Sequence, residues 1–525
     1  MKCFKFSALI FLILFGLSSS SDSDLIVETL YGPVRGTILT SARSNRPFFG
    51  FMGIPYAKPP VGDLRFKPLQ PLDPWTEVRN ATAEGSVCPQ TSEWSLKAEG
   101  IEDCLFINVY TPKLPSGPND TLLPVLFLIH GGGFYFGSAS KIALGPDFMV
   151  DENVVVVSFH YRIGIFGKYI SFEILLRKKR LDQKEGFLSL QNAEVPGNNG
   201  LKDQTFALRW TKQNIARFGG DPSKITIVGH SAGGSAVHFQ VLSPMSRGLF
   251  QRAIVQSSSA LNSQAFQFPN ENIKRAFRVG KILGTNTTDK DELLRYLRSL
   301  PLEKYWKIIA KEDLLFLPTT ESNTTKEEVF LPDTPINILK AGNFNKVSYL
   351  TGVTSREAII GLRKELLLGD VQNKTESIIM DEFGMEESDL RVPEAAAKLR
   401  EFYFGGSTNP TLLQFINLYS EVVVTKDVYC TIKLQAAKST SPIYVYQFSF
   451  YGYMNIYKDI LYGGSDIPDN SVRRRGGIRC GLVDKASARR AENPGSNPGA
   501  GENFLRSITL SSYDEAEYLH GNIKH

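Results

Sequence analysis

The sequence predicts an α/β fold, with a mostly parallel central sheet flanked by helices. Three observations predict it. Short apolar runs, rich in β-branched residues, recur at Leu123 to Ile129, Val154 to Phe159 and Ile225 to Val228, as buried parallel strands require. Between the second and third runs, Asp203 to Phe218 spaces Phe206, Leu208, Trp210, Ile215 and Phe218 as a helix would. Each run ends at a polar residue or glycine, so strand and helix alternate, which argues for right-handed crossovers in one sheet.

The elements follow in chain order. Leu123 to Ile129 runs straight into His130-Gly131-Gly132-Gly133-Phe134. Val154 to Phe159 is bounded by Asn153 and His160. The helix over 203–218 stops at Gly219-Gly220, since glycine adopts the left-handed conformation at little cost. Ile225 to Val228 ends at Gly229, and Ser235-Ala236-Val237 continues as a second helix. Two stretches do not fit. Residues 168–186 carry the charged block Arg177-Lys178-Lys179-Arg180, and 471–511 is rich in Arg, Gly, Ala and Ser. Neither has a periodicity that could pack a core, and 471–511 is expected to be disordered.

Gly229-His230-Ser231-Ala232-Gly233 fits the G-x-S-x-G pattern of a nucleophile elbow. A serine on a tight strand-to-helix turn lifts its hydroxyl above the sheet, and the glycines admit the crossing backbones. The helix N-terminus then faces developing negative charge. The glycines after His130 suit a loop whose N–H groups approach an oxyanion closely.

Further motifs make the resemblance specific. These are Phe51-Met52-Gly53-Ile54-Pro55-Tyr56-Ala57-Lys58-Pro59-Pro60-Val61-Gly62 with Leu64-Arg65-Phe66, Glu102-Asp103-Cys104-Leu105-Phe106-Ile107-Asn108-Val109-Tyr110-Thr111-Pro112, and Glu194-Val195-Pro196-Gly197-Asn198-Asn199-Gly200-Leu201-Lys202-Asp203-Gln204. With the elbow and the glycine loop they resemble the type-B carboxylesterases, most closely the secreted insect-type esterases. The resemblance covers about 25–470 apart from 168–186. It implies an α/β-hydrolase domain over 22–470, with 168–186 as a non-family insertion, 471–511 as a non-family segment and 512–525 as a remnant of the family's C-terminal region. The chain as written is then expected to be C-terminally truncated.

The resemblance also implies roles. Ser231 is the nucleophile of a carboxylic-ester hydrolase working through an acyl-enzyme. The N–H groups of Gly132, Gly133 and Ala232 form the oxyanion hole. Glu357, in Gly352-Val353-Thr354-Ser355-Arg356-Glu357, is the triad acid, with Ala358 where the family usually has glycine. Cys88–Cys104 corresponds to the family's first disulfide. Trp94 does not sit at the choline-stacking position of cholinesterases, which argues against a choline-ester specialist.

The general base is the difficulty. A serine hydroxyl needs a histidine to take its proton, and in this fold the chain order is Ser, acid, His. Of six histidines, His130, His160, His230 and His238 precede Glu357. His130 reads as part of the oxyanion loop, His160 as a satisfied buried histidine, His230 as the elbow's variable position and His238 as a helix residue. The family frame H-x-D-E-L-x-Y-L-F matches 512–520 with Ser512 where histidine should stand, and His520 is a weak substitute. A second reading is therefore a catalytically impaired, esterase-like binding or adhesion protein.

Composition sets the setting. Segment 471–511 nets +5 and 168–186 nets +3, leaving about −3 for the remainder of a chain whose total is +5. The body offers no nucleic-acid surface. Lys2 and Lys5, the apolar run Phe6 to Leu17 and the small residues Ser18 to Ser21 read as a signal peptide over 1–21. No stretch is long enough to span a bilayer, so the protein is expected to be secreted. Asn80, Asn119, Asn286, Asn323 and Asn373 begin N-x-T acceptor sequons. A Cys88–Cys104 bridge would close a short loop worth on the order of 3 kcal/mol. The chemistry calls for a small carboxylic ester, with no cofactor and no metal.

Overall fold

The computed structural model describes residues 25–92, 97–164, 187–309, 316–322, 328–360, 371–383 and 385–449, and the backbone of 478–483. Ten strands form the central sheet: β1 (Thr37–Thr40), β2 (Pro47–Pro55), β3 (Phe106–Thr111), β4 (Leu123–Ile129), β5 (Val155–Phe159), β6 (Gly220–His230), β7 (Arg252–Gln256), β8 (Ser348–Thr354), β9 (Ile443–Phe448) and β10 (Ile478–Val483). Their spatial order is β1-β2-β3-β5-β4-β6-β7-β8-β9-β10. The run from β5 to β9 is parallel throughout. The pairs β1–β2, β2–β3, β3–β5 and β9–β10 are antiparallel.

The central strands are apolar because they are covered on both faces. Val125, Phe127, Val155, Val157, Phe159, Ile225, Ile227 and Val255 are each 0% exposed, and Phe127 stacks on Phe159 at 4.6 Å. Each such side chain contributes about 1.5–3 kcal/mol by leaving water. Helix α1 (Asn199–Asn214) begins four residues before the expected Asp203 and is followed by a 3-10 turn, Ile215–Phe218. The early start follows from Asn198, whose left-handed φ of 58° turns the chain into the helix. Gly219, at φ 84°, ends the turn where expected.

Helix α2 (Ala232–Leu242) follows the elbow serine, and all eleven of its residues are buried. It carries no polar stripe because no face meets water. Its polar side chains Ser235, His238 and Gln240 all find partners inside the protein. Helix α3 (Lys426–Lys438) packs near it, and Gln435 of α3 meets His238 of α2.

Two expectations need correction. The third run is longer than Ile225 to Val228, because β6 begins at Gly220 and continues to His230 through an irregularity between Gly220 and Ile225. Segment 471–511, expected to lack packing elements, supplies β10 on the edge of β9. Strand pairing uses backbone groups, and an open strand edge offers a ready row of them. The signal peptide, the 168–186 insertion and residues 512–525 lie outside the described residues. Among the described residues no helix is long and apolar enough to cross a membrane.

Candidate active site

Ser231 stands between β6 and α2 at φ 57° and ψ −131°. A non-glycine residue held there costs on the order of 1–3 kcal/mol. The surroundings impose it: the Ser231 N–H donates to the Gln256 carbonyl at 3.0 Å. A Cβ on Gly229 would lie 2.1 Å from the Gly233 carbonyl oxygen, and one on Gly233 would lie 2.3 Å from that of Ile129. Strand and helix cross at these two glycines, and no side chain would fit between them.

The glycine loop lies against the elbow. A Cβ on Gly131 would be 2.7 Å from the His230 carbonyl oxygen and 3.4 Å from the Ser231 Cβ. Gly132 and Gly133 adopt φ 104° and 61°, which only glycine holds without strain. The loop is fixed from below: Tyr161 Oη donates to the His130 carbonyl at 2.8 Å, and its ring stacks on the His130 imidazole at 4.2 Å. Ala232 opens α2, where the first N–H groups have no intrahelical acceptor. The elbow and the glycine loop thus meet at one place.

Glu357 opens a 3-10 turn, Glu357–Ile360, directly after β8. Its Oε1 accepts the Thr354 N–H at 2.5 Å. Burial lowers the His230 imidazole below its ordinary value while the Glu357 charge opposes the shift. Burial and the same carboxylate hold the Tyr446 hydroxyl above its ordinary value. Glu357 is therefore within electrostatic reach of the elbow. Ala358 is buried, and its N–H donates to Ser420 Oγ at 3.0 Å.

None of the four described histidines hydrogen-bonds the Ser231 hydroxyl among the described residues. His130 Nδ1 lies 2.9 Å from the Gly131 carbonyl oxygen, and burial lowers its pKa to about 4. His238 is held by Ala260 and Gln435. His160 corrects an expectation: it is buried, but neither ring nitrogen has a hydrogen-bond partner. Burial and the nearby His130 lower it to about 3. Ser512 and His520 lie outside the described residues.

Cys88 and Cys104 form a disulfide. Buried ion pairs that the sequence did not reveal brace the scaffold. Arg65 pairs with Glu102 at 2.6 Å and also donates to the Leu300 carbonyl. Arg162 Nη2 meets Asp203 at 2.6 Å, and Lys202 meets Glu321 at 2.8 Å. The signal was present, since Arg65, Glu102, Lys202 and Asp203 sit inside otherwise apolar or glycine-rich motifs. A cavity lined by Arg65, Phe66, Glu102 and Phe187 is bordered by the first of these pairs and by Arg162 of the second, and by neither Ser231 nor Glu357.

The comparisons agree with this geometry. The carboxylesterase family matches residues 23–172 and 185–472, a gap that falls on the expected insertion. A juvenile hormone esterase of Tribolium castaneum is 34% identical over 85% of this chain and 77% of its own length. Esterase FE4 of Myzus persicae is 38% identical over 78% of this chain and 71% of its own. The crystal structure of juvenile hormone esterase from Manduca sexta, with OTFP covalently attached, superposes with a TM-score of 0.71 at 29% identity. It covers 83% of this chain and 80% of that one. An α/β-hydrolase sheet, a strained elbow serine and these likenesses together place the chain in the carboxylesterase family, as a carboxylic-ester hydrolase.

Proposed function

We propose that this protein is a secreted serine esterase that cleaves small carboxylic esters through an acyl-enzyme on Ser231. One observation carries the reading: the left-handed Ser231 backbone beside Gly131–Gly133 at the head of α2. Ser231 Oγ attacks the ester carbonyl as its proton passes to a general base, for which the sequence offers His520, and from there to the departing alkoxide. The N–H groups of Gly132, Gly133 and Ala232 receive the oxyanion, the alcohol leaves, and water releases the acid. Glu357 orients the base and stabilises its charged form. Oxyanion donors fixed before the reaction are the largest expected contribution, about 10²–10³ in rate for each donor.

Three sequon asparagines, Asn80, Asn119 and Asn286, are exposed in the fold, which supports glycosylation during export. Asn323 lies outside the described residues. Expression in insect cells should place the protein in the medium, beginning near residue 22 and losing mass on treatment with an N-glycosidase.

The catalytic test is a pre-steady-state burst from a nitrophenyl ester, with mass spectrometry of the acylated peptide. Ser231→Ala should abolish burst and adduct, and Glu357→Gln should slow both. A burst without turnover would select the impaired-esterase reading. No adduct on Ser231 at all would defeat the proposal.

A further inference from the structure

His238 is fully buried on α2, two turns below Ser231, and the reaction does not use it. Its hydrogen bonds define its chemical form. The Ala260 N–H donates to Nδ1 at 2.9 Å, so Nδ1 carries no proton and the ring is the neutral Nε2–H tautomer. Gln435 Nε2 lies 2.9 Å from His238 Nε2; because Nδ1 already accepts, Nε2 bears the proton, and the Gln435 amide is assigned the flipped orientation in which its oxygen accepts it. The ring edge meets Tyr349 at 6.0 Å.

The groups that His238 holds form the segment after β7. Ser259 Oγ lies 3.4 Å from His238 Nδ1 and 2.6 Å from Thr431 Oγ1. It also accepts the Leu261 N–H at 3.0 Å. One turn up α2, Ser235 Oγ lies 2.5 Å from Ser258 Oγ and donates to the Ser259 carbonyl. This segment follows Gln256, whose carbonyl accepts the Ser231 N–H, and it begins at Ser257, with φ 56°. The Ser257 N–H donates to the Gly352 carbonyl of β8 at 2.9 Å.

We propose that His238 is a positioning residue: as a neutral imidazole it ties the segment Ser257–Leu261 to the elbow helix and so holds the Gln256 carbonyl under the Ser231 amide. The inference rests on the esterase reading for its effect on reactivity, but not for its effect on structure. A histidine suits the task because the segment presents an N–H that needs an acceptor in a dry site. Leaving that N–H unpaired is costly, and a protonated ring would set two donors against each other.

The test compares His238→Phe, which keeps the ring but removes both nitrogens, with His238→Asn, whose Oδ1 can take the place of Nδ1. Hydrogen exchange of the peptide spanning 252–262 and the rate of Ser231 modification by a fluorophosphonate are measured on the full chain. His238→Phe should exchange about tenfold faster and react about tenfold more slowly, the size expected for one lost buried hydrogen bond. His238→Asn should restore both. Equal behaviour of the two variants, or wild-type exchange in His238→Phe, overturns the proposal. If the wild-type chain does not react with the probe, the esterase reading fails and the exchange arm still decides the clamp. Should His238→Phe not fold, the wild-type ring decides by its nitrogen-15 shifts: protonation at Nδ1 near neutral pH overturns the assignment.

Discussion

Replacing Gly132 with alanine separates the oxyanion loop from the rest of the fold. Gly132 sits at φ 104°, where a side chain costs about 1–3 kcal/mol. A Cβ would also lie 2.0 Å from the Phe136 carbonyl oxygen and 2.7 Å from its carbon. Ordinary contact requires that carbonyl to retreat by about 1 Å or more. The Phe136 and Tyr135 N–H groups both donate to the Gly132 carbonyl, so the turn cannot shift without rotating the amides beside Ser231. Loss of one oxyanion donor corresponds to about 10²–10³ in rate, or roughly 2.7–4 kcal/mol of barrier. Gly131 to Gly133 are only half-buried, so the core packing should survive. The assay is the second-order rate of Ser231 modification by a fluorophosphonate, with a urea unfolding curve alongside. A Gly132→Ala protein that folds and reacts at the wild-type rate would refute the oxyanion assignment.

Other perturbations test the scaffold. Glu321→Gln leaves Lys202 buried without its counter-charge, and urea denaturation should register a loss of about 3–5 kcal/mol. A joint change of Lys202→Met with Glu321→Leu should lose less. Acid should destabilise the fold through its buried imidazoles. An unfolded histidine takes its proton near pH 6.5, whereas His130 resists to about 4 and His160 and His238 to about 3. The folded state thus binds fewer protons in that window. Stability is intact above pH 6.5 and falls as pH drops toward 4, by on the order of 2 kcal/mol per ring at pH 5. Urea midpoints at pH 7 and pH 5 check this, and an unchanged midpoint would refute it. Replacing Cys88 and Cys104 with serine opens a loop with a sequence separation of 16 and should reduce stability by about 3 kcal/mol.

The elbow and the glycine loop were legible because their requirements are local. A side chain on Gly229 would strike the Gly233 carbonyl four residues on, whereas one on Gly233 would strike Ile129 of β4, so the short motif contains much of its own cause. The proposal of Glu357 as the acid comes from resemblance alone, since nothing in Ser355-Arg356-Glu357 distinguishes it from an exposed carboxylate. The ion pairs escaped for the opposite reason. Lys202 finds Glu321 across more than a hundred residues, and that carboxylate also accepts from Asn198 at 2.7 Å. Sequence can mark such charges as out of place but cannot choose their partners. The early start of α1 and the pairing of β10 likewise depend on distant partners: Thr319 and Glu321 hold the αL Asn198 in one case, and an open sheet edge accepts the strand in the other.

Sheet register explains why residues so far apart can share one site. The glycine loop, Ser231, the segment after Gln256 and Glu357 all follow the carboxyl ends of neighbouring parallel strands, the usual place for function in such sheets. Gly229 pairs with Ile129, His230 with Gln256, and Gln256 with Gly352. These pairings set the heights at which the four loops emerge. A slip of one residue in β6 would exchange the side chains presented to its two covered faces and carry Ser231 about 3.3 Å along the strand, beyond reach of the proposed donors, which must lie near 3 Å from the oxyanion. The apolar residues of β4, β6 and β7 therefore serve the proposed chemistry as well as the stability: the burial that makes slippage costly also fixes the height of the hydroxyl relative to the proposed donors.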